Sequence, residues 1–536
     1  MARKGDTDVL VALNPATWQA DLKGVRPGAA VIHEAAYSTL NAREDVHYYP
    51  VPFTQLAKTK ITNDTLRKQL LNMIYVGVVA RLLQIPLAAV EHGLRRHFLT
   101  KPKAVQVNLD AVQLGMDYWD ENLKKADLYA LAPMTGKTEG LVLIEGNQAA
   151  ALGCIMAGCT VASWYPITPS SSLCEYIGTY ADRFRVDPAS GERRIAVVQA
   201  EDELAAVGMA IGAGWAGARA MTSTSGPGLS LMAEFAGLSY YAEIPVVIFD
   251  IQRIGPSTGL PTRTSQADLT FAYGLSHGDT RHIVLLPGTV EECYEMGRDA
   301  FDYADRFQTV VFVLSDLDLG MNLWMTRPFQ YPDRPFDRGK VLSAEKIEEL
   351  KGEWGRYRDV DGDGITYRTL PGTDHPMAGY FTRGSGHDEN ARYTESGEVY
   401  ARNMDRLARK LETARAELPA PALQGSGAKI GIIGFGSTIN AVEEARVHLT
   451  ELGLQTDFLR VRALPLHDSI KAWVRDHERV YVIEMNRDGQ LYDLLRLHLP
   501  PDLVGRLTSI RRYDGQPVPA EAITRPILEL EAIPAS

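Results

Sequence analysis

At 536 residues the chain is too long for one hydrophobic core, so two or three domains are expected. Apolar residues make up 45% and charged residues 23%, the balance of a globular protein, while 56 Lys and Arg against 67 Asp and Glu leave a net charge of −11 that argues against nucleic acid as the main partner. No apolar run reaches bilayer length and the opening MARKGDTDVL has no signal-peptide core, so no membrane association is expected and the cytoplasm is the expected location.

In chain order, TDVLVALNP (7–15) and GAAVIHEA (28–35) read as strands separated by a polar helix. The remainder to about 125 reads as helical: residues 65–85, 86–99 and 103–123 each carry apolar side chains at three- and four-residue steps. An α/β layer normally opens with a strand and a glycine turn, and this one opens beyond that point. The polar segment 126–140 is expected to be a linker.

From 141 to about 330 strands and helices alternate. GLVLIEGNQAAALGCIMAGC (140–159) reads as a short apolar segment and a helix, with Asn147 expected to cap it. TVASWYPIT and RRIAVVQA are strands, and EDELAAVGMAIGAGWAGA is a helix whose acidic start suits its dipole. RAMTSTSGPG is a strand breaking into a glycine turn. IPVVIFDIQ (244–252) is a continuous apolar strand of the kind buried on both faces, and HIVLLPG and TVVFVLSD continue the alternation. This rhythm predicts an α/β fold with a doubly wound parallel sheet, in which ligands sit at the carboxyl ends of strands. Residues 331–427, polar and rich in Gly, Pro and Asp, read as an excursion and linker; 428–536 read as a second, smaller α/β domain.

Four cysteines, Cys154, Cys159, Cys174 and Cys293, include no C-x-x-C pair, so this chain is expected to hold no zinc or iron–sulfur site and no metal of its own. GFGST (434–438) reads as a tight βα turn, lacking the full phosphate-loop pattern. DVDGDGI (359–365) has the front half of a calcium loop, but Leu370 stands where the bidentate acid belongs. Its GDG, with Asn390 downstream, also has the spacing of a thiamin diphosphate metal motif, yet a charged segment precedes it in place of an apolar strand. A solvated Asp-Gly turn is the preferred reading, with adventitious calcium as the alternative.

Three segments fall where parallel strands should end: YPITPSSS (165–172), QAEDE (199–203) and QRIGPSTGLPTRT (252–264). Together they offer hydroxyls (Thr168, Ser170, Ser171, Thr258, Thr262), carboxylates (Glu201, Asp202, Glu203) and cations (Arg253, Arg263). Each alone is read as a capping loop. Together they predict a pocket for an anionic small molecule, since an arginine fork holds a carboxylate through two parallel hydrogen bonds.

YPITPSS, QAEDELAAVGMAIGA, TSTSGPG and QRIGPSTGLPT resemble the alpha subunit of 2-oxoacid:ferredoxin oxidoreductases, most closely the 2-oxoglutarate type with a gamma domain fused ahead of alpha. The resemblance implies a pyrimidine-binding catalytic domain over 141–330, a transketolase C-terminal-type domain over 428–536 and a gamma domain over 1–125. It also implies that thiamin diphosphate is shared with a beta chain carrying magnesium and an iron–sulfur cluster, in an α₂β₂ assembly that serves ferredoxin. The family's acid on the aminopyrimidine falls on Glu203, with Glu201 next in line. A shielded carboxyl can share its proton with the ring, whose imino form then deprotonates the thiazolium carbon. Thr168 maps to the threonine facing the 2-oxoacid carboxylate, in a loop stiffened by its prolines, and Arg253 and Thr262 map to residues selecting the substrate's carboxylates. The gamma domain is associated with coenzyme A. Here its pattern is already under way at Met1, so its first strand and glycine-rich turn are expected to be missing. The implied reaction is coenzyme A-dependent oxidative decarboxylation of 2-oxoglutarate to succinyl-CoA. The alternatives are the same chemistry on pyruvate, branched-chain or aryl 2-oxoacids, a non-redox thiamin enzyme of transketolase or decarboxylase type, and a non-catalytic binding subunit.

Overall fold

A computed structural model describes residues 6–37, 43–60, 64–350, 353–425 and 427–533. Two compact units divide the chain between Glu139 and Gly140.

The first unit holds a parallel sheet of β1 (Thr7–Ala12), β2 (Val25–Glu34) and β3 (His47–Val51) in that order. β3 lies in the stretch the sequence reads as helical. HYYPV is too short for periodicity to declare itself, and only its pairing with β2 makes it a strand. The expected helices form as Asp64–Leu82, Leu87–His97 and Pro102–Asn122, burying Ile74, Val78, Ala111 and Trp119 against Ile32 and Tyr49.

The second unit begins with β4 (Val142–Glu145), followed by β5 (Val161–Trp164), β6 (Ala196–Gln199), β7 (Ala220–Thr224), β8 (Val246–Gln252), β9 (Ile283–Leu285), β10 (Val310–Asp316) and β11 (Leu323–Thr326). β4 and β11 form a separate antiparallel pair. The main sheet runs β9-β10-β8-β7-β5-β6, all parallel, which is the doubly wound arrangement. β8 and β10 are buried at every position, as their unbroken apolar runs require. Beyond them come β12 (Ala422–Gln424), β13 (Ile430–Phe435), β14 (Thr456–Val461), β15 (Ala463–Leu464), β16 (Arg479–Glu484) and β17 (Leu507–Arg511). Five of these form a second sheet, β12-β14-β13-β16-β17, while β15 crosses to add an antiparallel edge to β9. That crossing joins the two α/β layers into one apolar interior: Ile433, Phe435, Leu459 and Val461 pack with Val284, Phe312 and Leu314.

The polar stretch after 331 is more than an excursion. Buried Glu243, which ends the Ala233–Ala242 helix in a left-handed conformation, pairs with Arg406 (2.6 Å) and Lys410 (2.8 Å) from the Gly397–Glu417 helix. Arg356 donates to the Glu243 carbonyl at 2.7 Å. These cations hold the Glu243 carboxyl down to about 2 against its burial, while burial lowers the Lys410 ammonium to about 8. The acid's gain is therefore partly offset by the lysine's cost.

The DVDGDGI turn has its own cation. Lys340 Nζ bonds Asp361, both Asp363 oxygens at 2.9 Å and the Ile365 carbonyl at 3.0 Å, and Asp359 pairs with Arg409. An ammonium thus stands where a calcium ion would. Among the described residues no group of three or more His, Cys, Asp or Glu side chains is arranged to hold a metal, and no helix is long and apolar enough to cross a membrane.

Candidate active site

The three motif loops leave the carboxyl ends of β5, β6 and β8, all on one edge of the main sheet, where β5 and β6 are neighbours and β7 stands between β5 and β8. The chain from Tyr165 to Ser172 turns directly after β5. Asn147 sets its shape. It does not cap its helix; from inside the first turn its Nδ2 donates to the Pro169 carbonyl and to Ser172 Oγ, each at 2.9 Å. Ser170 points inward, wholly buried, donating to Ser223 Oγ on β7 at 2.9 Å, so it is no pocket donor. Thr168 remains exposed at the tip.

After β6 the three acids separate. Asp202 is the N-cap of the Glu203–Trp215 helix, accepting from Ala205 N, and Glu201 is exposed. The SGPG stretch, expected as a glycine turn, is the N-cap and first turn of the Gly226–Leu231 helix. Glu203, the first residue of its own helix, is only 7% exposed and lies against Gly228 there. A Cβ at Gly228 would stand 2.8 Å from Glu203 Oε1 and 2.0 Å from Thr224 Oγ1, so only glycine lets the turn approach the acid. Among the described residues, no protein group donates a hydrogen bond to the Glu203 carboxylate.

Beyond β8, residues 253–263 fold back on themselves: Ile254 N donates to the Arg263 carbonyl at 3.1 Å and Leu260 N to the Ile254 carbonyl at 3.0 Å. Arg253 sits at the base of this loop, 7% exposed, donating through Nη1 to the Thr168 carbonyl at 2.8 Å, while its Nε is buried without a partner. Burial lowers the guanidinium from its ordinary value, and the Glu203 charge pulls the other way. Arg253 therefore draws the β5 and β6 loops together: one contact is a hydrogen bond, the other electrostatic. Thr258 and Thr262 are exposed on the loop, and Arg263 folds back onto Thr262, donating to its carbonyl at 2.9 Å. The structure thus brings together Thr168, Glu203 and Arg253, with Thr262 on the same loop as Arg253.

The sequence reading missed what anchors that loop. Immediately after it, Thr264 N donates to the Gly515 carbonyl (3.1 Å), Gln266 N to the Met485 carbonyl (2.9 Å), and Gln266 Nε2 to the Phe435 carbonyl (2.9 Å). Met485 N and Asn486 Nδ2 bond Gln266 in return. A buried glutamine holds the 253–263 loop to the C-terminal domain, and its partners lie some 169 and 219 positions away, beyond the reach of local pattern.

At this edge the Glu203 carboxyl meets no protein donor among the described residues, and Gly228 pressed against it holds the acid in place. An anionic end group has Arg253 and the exposed hydroxyls. The cysteines offer nothing comparable: all four are buried, and burial pushes the Cys159 and Cys174 thiols up to about 12, away from the thiolate a metal needs. A cavity of about 310 Å³ lies at the opposite end of the main sheet, before the starts of β8 and β9, lined in part by Tyr240, Tyr241, His277 and Thr280. It shares no residue with the motif loops.

Two family models match the chain. Residues 152–333 match the domain described as pyruvate flavodoxin/ferredoxin oxidoreductase, thiamine diP-binding, and residues 1–118 match pyruvate ferredoxin/flavodoxin oxidoreductase. The alpha subunit of 2-oxoacid:ferredoxin oxidoreductase 2 from Aeropyrum pernix is 34% identical over 467 residues, covering 84% of this chain and 70% of its own. The 2-oxoglutarate synthase subunit KorA of Methanocaldococcus jannaschii is 34% identical over 352 residues, 65% of this chain and 89% of its own. Among solved structures, the 2-oxoglutarate:ferredoxin oxidoreductase of Magnetococcus marinus, with 2-oxoglutarate, coenzyme A and succinyl-CoA bound, superposes with a TM-score of 0.85 at 30% identity. That match covers 99% of this chain and 89% of the other.

Proposed function

The chain belongs to the 2-oxoacid:ferredoxin oxidoreductase family, as an alpha subunit of a thiamin diphosphate-dependent enzyme that works with a beta subunit and ferredoxin, and from that premise we propose that its substrate is 2-oxoglutarate. In the proposed reaction 2-oxoglutarate loses carbon dioxide, its succinyl group passes to the coenzyme A thiol, and the electron pair leaves for ferredoxin. Thiamin diphosphate, when bound, supplies the nucleophilic carbon and the electron sink that decarboxylation of a 2-oxoacid requires.

This chain's residues do the holding. Glu203 places a proton at the ring nitrogen of the aminopyrimidine, aided by the absence of any competing donor and by the turn pressed against it. Thr168, exposed on a loop fixed by Asn147 and Arg253, faces the carboxylate next to the 2-oxo group. Arg253 and Thr262 receive the distal carboxylate, which pyruvate lacks. The observation that carries this reading is Arg253 itself: a nearly buried guanidinium at the base of the 253–263 loop that spends one N–H on the Thr168 carbonyl and has no ion pair among the described residues. Magnesium and the iron–sulfur cluster reside on the beta chain, the assembly is α₂β₂, and it works in the cytoplasm.

Several relatives carry only the broader description, 2-oxoacid. The deciding measurement is therefore kcat/KM of the reconstituted alpha–beta complex for 2-oxoglutarate, pyruvate, a branched-chain and an aryl 2-oxoacid, read as ferredoxin reduction. A preference for 2-oxoglutarate of tenfold or more is expected, and a preference for pyruvate would overturn the assignment.

A further inference from the structure

β8 carries an acid where its apolar run should continue. Asp250 is wholly buried, on the same face of the sheet as Val246 and Ile248, the face covered by Val207, Ala210 and Ile211 of the Glu203 helix. Neither Asp250 oxygen meets a donor. What it meets is a second carboxyl, Asp268, at the far end of the loop that begins with Arg253. Asp268 is tied to β8 by its N–H on Gln252 Oε1 at 3.1 Å, and its Oδ2 is also buried without a donor. Two facing acceptors in an apolar interior cannot both ionise; one proton held between them satisfies both. Burial pushes both carboxyls up, and the Asp268 charge adds to the rise at Asp250.

The Ser225–Gly228 turn spans the distance from this pair to the active site. A Cβ at Gly226 would stand 2.9 and 3.1 Å from the two Asp268 oxygens, and one at Gly228 would stand 2.7 Å from Glu203 Cγ. One end of the turn rests on Asp268 and the other on Glu203, and a glycine at each end lets it come that close. We propose that Asp250 and Asp268 are positioning residues for Glu203: a proton-sharing pair that fixes the Ser225–Gly228 turn from behind and so fixes the acid in front of it. The inference rests on the role given to Glu203. It also links the two halves of the site, because the same Asp268 closes the loop bearing Arg253 and Thr262.

The test uses the reconstituted alpha–beta complex with magnesium and compares binding of thiamin diphosphate with that of an analogue whose pyrimidine N1′ is replaced by CH. A well-placed Glu203 favours the natural ring by about tenfold or more. Glu203→Ala is expected to bring that ratio near one, and Asp268→Ala to bring it most of the way there without loss of partner binding. Asp268→Asn, whose amide can donate to Asp250, is expected to keep the wild-type ratio. Should Asp268→Ala fail to assemble, Asp268→Ser is measured in its place with the same expectation. A wild-type ratio in Asp268→Ala or Asp268→Ser overturns the positioning role while leaving Glu203 in place. A wild-type complex that does not distinguish the two rings withdraws the Glu203 role and this inference with it.

Discussion

Replacing Arg253 by methionine keeps the length of the side chain and removes its charge and donors. Arg253 is 7% exposed, so solvent cannot fully take its place, and its loss has two parts. The first is the hydrogen bond to the Thr168 carbonyl, 2.8 Å long, which joins the β8 loop to the β5 loop whatever the substrate. A bond from a charged donor contributes about 1.5–3 kcal/mol, and at the lower end of that range this part lowers kcat/KM by about tenfold for every 2-oxoacid. The second is the contact to the distal carboxylate, available only to 2-oxoglutarate and worth at least as much, about another tenfold. Arg253→Met is therefore expected to lose on the order of a hundredfold on 2-oxoglutarate and about tenfold on pyruvate. The assay is steady-state ferredoxin reduction by the alpha–beta complex with each acid. Equal losses on both acids would refute the reasoning, because Arg253 would then brace the loop without reading the substrate.

Glu203→Ala is expected to lower kcat by about 10²–10⁴-fold with the beta chain still bound, as seen by co-purification; unchanged turnover removes Glu203 from the chemistry. Glu243→Gln leaves Arg406 and Lys410 as buried cations without their counter-charge and is expected to cost about 3–5 kcal/mol in urea unfolding. The folded Glu243 carboxyl lies at about 2, below the ordinary carboxyl range, so its contribution is present above that range and is lost as pH falls from about 4.5 towards 2. The variant's acid unfolding should be correspondingly shallower, and an equally steep acid limb would place the loss elsewhere. Lys340→Ala empties the cation position in the DVDGDGI turn: terbium luminescence, silent in the wild type, should appear in the variant with a Kd of about 1 mM or weaker, and saturable wild-type binding would contradict an internal ammonium in that place.

Wherever a property repeats along the chain, the sequence determined it. Unbroken apolar runs marked β8 and β10, alternation of strand and helix marked the parallel sheet, and the loops at 165–172, 199–203 and 252–264 fell at strand ends because parallel order leaves them nowhere else. The candidates Thr168, Glu203 and Arg253 were legible from the motifs, although residue types alone could not separate Glu203 from its neighbours Glu201 and Asp202. Burial against Gly228, a cap and an exposed side chain do that, and each is a property of the folded helix start. The tertiary structure alone decided that Asn147 braces a loop, that Ser170 turns inward, that Gln266 holds the 253–263 loop, and that Glu243 meets Arg406 across 163 positions. Asp250 left a trace, one acid in a buried strand, but its partner Asp268 did not. Periodicity reports which face of an element is apolar, whereas a hydrogen bond between distant residues depends on where the whole backbone has been carried, and no local window contains that.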